Sequence, residues 1–170
     1  MGVLASAAFR MKLYQDAYGL TEQRLYVSVV IVWLTVVLLW LVLTVLRDKH
    51  ESFVFGTLLA GLACIAALHV LNPHALIARV NTDRATTGAE YDGSYVSSLS
   101  ADAVPTLLAR LGQLSVVERC RPTRMLEKRW TVERKGGWRS WNQSDWRARR
   151  MVAPLVGTLS YPGIEVPARR

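Results

Sequence analysis

The fold of this chain is decided by residues 25–46, LYVSVVIVWLTVVLLWLVLTVL, a run of 22 residues whose only ionisable side chain is Tyr26. A second run, residues 52–71, SFVFGTLLAGLACIAALHVL, has 20 residues with Cys64 and His69 as its only titratable groups. About 20 apolar residues in a helix span the hydrocarbon core of a bilayer. Both runs are therefore predicted to be transmembrane helices, because a segment in lipid must satisfy its backbone hydrogen bonds within itself.

The composition supports a membrane protein with a polar remainder. The 170 residues are 51% hydrophobic, carry a net charge of +8 and have a mean hydropathy of +0.18. This combination excludes an ordinary soluble basic protein, and the residues outside the two runs suffice for at most one small polar domain. Two cysteines, Cys64 and Cys120, do not make a disulfide framework.

The two runs are joined by RDKHE, residues 47–51. A connector this short predicts an antiparallel hairpin. Small residues on the second run, together with a tryptophan on the first, form the predicted helix interface: Gly56, Ala60, Gly61, Cys64 and Trp40. Small residues let two helices approach closely, and a deep indole N–H needs an acceptor. The first candidate partner of the second run is the first run itself.

Basic residues near the ends of the spans indicate the orientation. The connector carries Arg47 and Lys49, whereas the opposite ends carry Arg10, Lys12, Arg24, Arg79 and Arg84. Residues 72–170 add 16 Lys plus Arg against 9 Asp plus Glu. Both termini are therefore predicted on the cytoplasmic side.

We predict an all-α membrane protein in four segments. Residues 1–24 form an amphipathic helix along the membrane interface, or equally the last turns of a spanning helix whose earlier part precedes this chain. Residues 25–71 form the hairpin, and residues 72–152 form a small basic helical cytoplasmic tail. Residues 153–170, rich in Pro and Gly, form an extended or disordered end.

Capping residues predict the helices of the tail. The predicted capping residues are Asn72 with Pro73, Asp92, Ser100 with Asp102, and Ser144, and a further helical pattern runs from Ser115 to Lys135. The helix after Ser115 is predicted to break near Pro122.

Basic residues alternate with tryptophans in this tail. The predicted headgroup or partner contacts are Arg79, Arg84, Arg129, Trp130, Trp138, Arg139, Trp141, Trp146 and Arg147. Such a composition can bind nucleic acid. Beside a membrane it indicates anionic headgroups or other membrane subunits more economically, so nucleic acid is the less favoured partner.

A cofactor is considered only at His69. Its imidazole could ligate a haem or a chlorophyll-type pigment, with Trp40 packed on the ring. A hydrogen-bonded or snorkelling histidine is the simpler interpretation. No metal site and no catalytic motif is predicted, and the chain is not expected to be an enzyme.

Four ordered blocks resemble a known bacterial family: RMKLYQDAYGLTEQRLY (10–26), LNPHALIARVN (71–81), SLSADAVPTLL (98–108) and WRSWN (138–142), the last leading to Arg147 and Arg149. The family is catalogued as domain of unknown function four-one-seven-three and consists of multi-spanning membrane proteins. The resemblance implies a location in the bacterial inner membrane and no established activity. Family members resemble a longer protein with several more spanning helices upstream, so these 170 residues are expected to correspond to its carboxy-terminal hairpin and tail.

The function predicted from these observations is a non-enzymatic accessory or scaffolding subunit of a larger inner-membrane complex. One alternative is a pigment- or haem-binding subunit of a photosynthetic or electron-transfer complex that uses His69. The other is a membrane-tethered regulator that binds nucleic acid.

Overall fold

The computed structural model describes residues 2–48, 51–132 and 141–155, and these residues contain helices and no strand. The α-helices are α1 Gly2–Tyr18, α2 Glu22–Leu46, α3 Ser52–Leu71, α4 Pro73–Thr86, α5 Gly93–Ser98, α6 Val104–Arg110, α7 Val116–Trp130 and α8 Gln143–Val152. Short 3₁₀ turns lie at Ala101–Ala103, Leu111–Gln113 and Ala153–Leu155. The chain divides into two compact units, Met1–Val80 and Asn81–Arg170. The all-α prediction is thereby confirmed for the described residues.

Helix α2 begins three residues before the predicted apolar run. Thr21 has extended backbone angles and its hydroxyl accepts a hydrogen bond from the Arg24 amide at 3.4 Å, which makes Thr21 the N-cap. Glu22 in the first turn adds a negative charge at the positive end of the helix dipole. The polar first turn is therefore part of the same helix as the apolar run.

Helices α2 and α3 pack as an antiparallel hairpin in which tryptophans lie against glycines. A Cβ atom built at Gly56 would overlap the indole of Trp40, and one built at Gly61 would lie 3.5 Å from Nε1 of Trp33. The indole N–H of Trp40 donates to the carbonyl oxygen of Ser52 at 3.4 Å. The predicted contact between the two runs is present at Trp40 and Gly56, and the acceptor is the first residue of α3.

Apart from this contact, the hairpin exposes its apolar side chains. Both α2 and α3 are long and apolar enough to cross a membrane, judged by length and composition. Only 6% of the most apolar window of α2 and 0% of that of α3 is buried within the chain. The central helix of a soluble protein is mostly buried, and neither of these helices is buried in that way within the chain.

Helix α1 is present where an interfacial helix was predicted, but the amphipathic arrangement is not. Its polar and apolar residues are spread around the helix, and none of its residues is buried. The reason is the spacing of Arg10 and Lys12, since residues two apart on a helix point about 200° away from each other. Its first eight residues are apolar or small and its charges come later, so the polarity of α1 varies along its axis.

The second unit has a small core between α5, α6, α7 and α8. Side chains that are at most 2% exposed include Val96, Val104, Leu107, Leu126 and Val152. Helices α5 and α7 approach closely at Gly93, where an added Cβ atom would lie 2.9 Å from Cδ of Pro122. Helix α7 continues through Pro122 to Trp130, so the predicted break is wrong. Burial of the proline ring against α5 offsets the backbone hydrogen bond that proline cannot donate.

Caps in this unit follow the prediction in part. Ser100 stands before the 3₁₀ turn Ala101–Ala103 but makes no side-chain capping hydrogen bond. Asp92 accepts from the amides of Ser94 and Tyr95, and Ser115 forms a reciprocal capping box with Glu118. Helix α8 is capped by Asn142 instead of Ser144, because the Asn142 side chain accepts from the Ser144 amide at 2.8 Å.

The Ser144 hydroxyl is used elsewhere. It donates to Oδ1 of Asp102, which ties the start of α8 to the turn before α6. In the same unit, burial raises the pKa of Tyr91 to about 12; the Thr82 side chain lowers it, and the charges of Glu118 and Asp92 raise it. Tyr91 is therefore neutral at physiological pH and its ring belongs to the packed part of this unit.

The fit of Trp40 against Gly56 predicts a difference between two glycine substitutions on the same helix. Gly56→Ala forces the indole to move and should lower the free energy of unfolding by about 1–3 kcal/mol, the usual cost of overpacking. Gly61→Ala should leave the free energy of unfolding unchanged, because the added Cβ makes an ordinary van der Waals contact with Trp33. The measurement is the thermal midpoint of the detergent-solubilised chain by tryptophan fluorescence. Equal midpoints for the two variants would contradict the packing described.

Candidate functional site

An apolar groove of about 610 Å³ lies beside the contact between Trp40 and Gly56. Residues from both helices of the hairpin line it, among them Val36, Trp40, Leu43, Phe55, Gly56, Ala60 and Ala63. Three predicted interface residues, Trp40, Gly56 and Ala60, thus share one surface. Of the other two, Gly61 faces Trp33, and Cys64 is half-buried as a free thiol outside the groove lining.

Large apolar side chains surround this groove on both helices. Phe55 is 71% exposed, Leu59 55% and Leu39 50%. Contiguous apolar surface of this kind is a mark of contact with a membrane or another protein. The groove is therefore a candidate contact surface, and its chemistry is packing without polar recognition.

Polar contacts link the end of α1 to the start of α2 across the turn between them, and this cluster is called the polar junction below. Gln15 Nε2 donates to the Ser28 hydroxyl at 2.7 Å, and that hydroxyl donates to the Arg24 carbonyl oxygen at 2.7 Å. The Arg24 guanidinium donates to the Gly19 carbonyl oxygen at 2.7 Å and lies 5.7 Å from the ring centre of Tyr18. Gly19 itself has a φ of 77°, a left-handed conformation that ends α1. These contacts fix α1 to the start of α2.

The start of α4 reaches the same junction. His74 Nδ1 lies 3.3 Å from Oε1 of Glu22, although the angle is not that of a hydrogen bond. Asn72 closes α3 with a φ of 47° and also caps α4, accepting from the Ala75 amide at 3.4 Å. Sequence reasoning proposed no role for this junction, because Glu22 and His74 are 52 positions apart. The one sequence feature that links Glu22 and His74 is that both lie inside blocks that carry the family resemblance.

The pigment hypothesis combined His69 with Trp40, and the structure separates these residues. His69 is exposed on the last turn of α3, whereas Trp40 packs at Gly56. His69 and Gly56 are thirteen positions apart on α3, which is about 20 Å at 1.5 Å per residue. Within the described ranges no group of three or more His, Cys, Asp or Glu side chains is placed to hold a metal ion.

Some of the basic and aromatic residues predicted as contacts in the tail are directed into the second unit, and others are exposed to solvent. Trp130 is only 5% exposed and belongs to the core of the second unit, which corrects its prediction as a headgroup contact. Arg129 Nη1 donates to the carbonyl oxygens of Ser97, Ser98 and Leu99 at 3.2, 2.7 and 2.8 Å, where α5 ends. Its charge thereby compensates the negative end of a helix within the same unit.

Arg149 makes similar inward contacts. It donates to the carbonyl oxygens of Trp130 and Val132, and its guanidinium lies 6.0 Å from the centre of the Trp130 ring. Three other predicted residues face outward: Trp141 and Trp146, which are 68% and 48% exposed, and Arg147.

The remaining predicted contact residues lie on α4 or outside the described part of the chain. Arg79 is exposed and Arg84 is half-buried, and each has an interaction within the chain. Ile77 and Ala78 are completely buried, so the apolar side of α4 packs within the protein and is not free to enter lipid. Trp138 and Arg139 lie outside the described residues.

A family model described as Domain of unknown function (DUF4153) matches residues 1–109. The match confirms the resemblance to an uncharacterised family, and it identifies that family as 4153, where the sequence blocks suggested four-one-seven-three. The matched range contains the hairpin, the polar junction and the first part of the second unit, but not α7 or α8. No curated protein and no solved structure matches the chain.

The inward contacts of Arg129 predict a structural role for this arginine. Arg129→Met removes three hydrogen bonds to the end of α5 and should cost about 1 kcal/mol, reduced from the usual value for charged groups by its exposure to water. Hydrogen–deuterium exchange of the full chain should then be faster in α5. Arg121→Met, which removes an exposed arginine of the same helix, serves as the control. Equal exchange in α5 for both variants would contradict the assignment.

Proposed function

We propose, from the premise that this chain belongs to the family Domain of unknown function (DUF4153), that it is a non-enzymatic accessory or scaffolding subunit of a larger bacterial inner-membrane complex. The observation that carries the proposal is the hairpin of α2 and α3, in whose most apolar windows only 6% and 0% of the residues are buried within the chain. A lipid environment removes the cost of this exposure, because the hydrocarbon is as apolar as the side chains.

In this proposal α2 and α3 cross the membrane in opposite directions. The connector carries Arg47 and Lys49 and lies outside, and the larger number of basic residues at the opposite ends of the helices lies in the cytoplasm. The polar junction supports this arrangement. Arg24, Glu22 and His74 gather at the end of the hairpin that carries both chain continuations, which suits a water-facing boundary.

A helix of another subunit is the proposed occupant of the groove. Small side chains at Gly56, Ala60 and Ala63 line it, and such residues let a second backbone approach within van der Waals contact. Packing of this kind, and not a hydrophobic driving force, is what associates helices in lipid.

The alternative functions receive no comparable support. His69 stands apart from Trp40, so the ring packing expected for a pigment has no partner there. In the tail, Trp130 is buried and Arg129 is directed to carbonyl oxygens. Two residues expected to serve nucleic-acid binding are therefore used inside the protein.

The experiment is affinity purification of the full chain from native membranes in a mild detergent, with partners identified by mass spectrometry. Ala60→Phe fills the groove and should reduce the co-purified partner at least tenfold, a change of about 1.4 kcal/mol or more. Ala66→Phe adds the same side chain at an exposed position of α3 outside the groove and should have no effect.

Two results of this experiment would contradict the proposal. One is a wild-type chain that migrates alone, and the other is undiminished co-purification with Ala60→Phe. A visible absorption spectrum of the same fraction tests the pigment alternative, which requires a band that disappears in His69→Leu.

A further inference from the structure

The outer face of α8 is the most exposed aromatic and basic surface that the structure describes in the second unit. Gln143, Trp146, Arg147 and Arg150 are exposed, and their spacing places them on one side of the helix. Trp141, directly before the N-cap, is 68% exposed next to this side. These five residues are called the α8 face below.

The opposite side of α8 is fixed to the rest of the unit. Ala148 and Val152 are completely buried, and the Ser144 hydroxyl donates to Asp102. Arg149 is held by carbonyl oxygens at the end of α7. Because these contacts set the rotation of the helix, the α8 face is held outward by the fold and does not depend on a bound partner.

The charge of the α8 face has one sign. Arg147 and Arg150 lie on it, while the only acidic residue of α8, Asp145, is half-buried on the other side and has an interaction there. The guanidinium of Arg150 lies 4.8 Å from the ring centre of Trp146. A positive face with amphipathic rings complements anionic headgroups, where tryptophans prefer the boundary between water and hydrocarbon.

The same geometry disfavours single-stranded nucleic acid as the occupant. Binding of that kind relies on bases stacked on open aromatic faces. Here Arg150 already covers one face of Trp146, and Trp130 is buried. Among the described tryptophans of the tail this leaves Trp141, which is 68% exposed, whereas a single strand is held by successive bases stacked on several rings.

We propose that the α8 face docks on the anionic lipid headgroups of the cytoplasmic leaflet. The inference rests on the proposed function, because the hairpin must hold the tail beside the membrane. It goes beyond that function by assigning the lipid contact to Trp141, Gln143, Trp146, Arg147 and Arg150 and by excluding Arg129, Trp130 and Arg149, which are used within the unit.

The test uses the full chain in lipid nanodiscs, with a nitroxide label at Gln143→Cys in a background of Cys64→Ala and Cys120→Ser. One set of nanodiscs contains phosphatidylcholine alone, and the other contains equal parts of phosphatidylcholine and phosphatidylglycerol. Collision of the label with a water-soluble nickel chelate, measured by electron paramagnetic resonance, reports whether the α8 face is at the lipid surface.

We expect the label to be protected from the nickel chelate in the anionic nanodiscs and exposed in the neutral ones. Arg147→Gln together with Arg150→Gln should lower the ratio of docked to undocked tail by about thirty-fold, given the contribution of each basic residue near an anionic surface. Arg121→Gln together with Arg124→Gln removes the same charge from the exposed side of α7 and should leave protection unchanged.

Three outcomes would overturn the inference. The first is equal exposure of the label in both lipid compositions, and the second is an equal loss of protection with the α7 pair, which would mean that net charge alone acts. The third is a stronger effect of a single-stranded DNA oligonucleotide than of anionic lipid on the label, which would assign the face to nucleic acid.

A second label separates this inference from the proposed function. Leu62→Cys lies on the exposed side of α3, and its nitroxide should meet dissolved oxygen but not the nickel chelate. If the chelate reaches that label, the hairpin is not in the bilayer and the proposed function fails. If the Leu62 label is protected and the Gln143 label is exposed in anionic nanodiscs, the docking inference alone is overturned.

Discussion

The fit of the Trp40 indole against α3 depends on the missing side chain at residue 56. No other residue type leaves room for the indole, and the resulting contact lets its N–H reach the carbonyl oxygen of Ser52. The pair closes the hairpin near its connector and opens the groove beside it. At the other end, hydrogen bonds from Gln15 and Arg24 join α1 to α2, and His74 at the start of α4 lies 3.3 Å from Glu22. The hairpin is thus fastened by packing at one end and by polar contacts at the other.

The second unit shows that a basic composition is not the same as a basic surface. Arg129 and Arg149 donate hydrogen bonds to backbone carbonyl oxygens at helix ends, where a positive charge is favourable. Both guanidinium groups lie near the Trp130 ring, 5.0 and 6.0 Å from its centre. Among the described residues of this unit, exposed arginines and exposed tryptophans occur together on the outside of α8.

Much of this architecture is available from the sequence, since length and hydropathy predict the two long helices and capping residues predict most of the others. Trp40 was expected to find an acceptor at a helix contact, and it does so at Ser52. The predicted break at Pro122 is wrong because the sequence shows only the local loss of a backbone hydrogen bond. The packing that offsets this loss involves Gly93, 29 positions earlier. The roles of Trp130 and Trp146 could not be distinguished in advance, because burial depends on how α7 and α8 pack. The contact of Glu22 with His74 could not be predicted either, because it depends on how α2 and α4 pack, 52 positions apart in the sequence.

The central claim is that α2 and α3 cross the membrane with both chain continuations on the cytoplasmic side. Its most direct test is cysteine labelling in intact bacteria by a membrane-impermeant maleimide, in a background without Cys64 and Cys120. Asp48→Cys, at the connector, should be labelled in intact cells, and Thr87→Cys, after α4, should be labelled only once the cells are lysed. Labelling of both positions, or of neither, before lysis would contradict the claim.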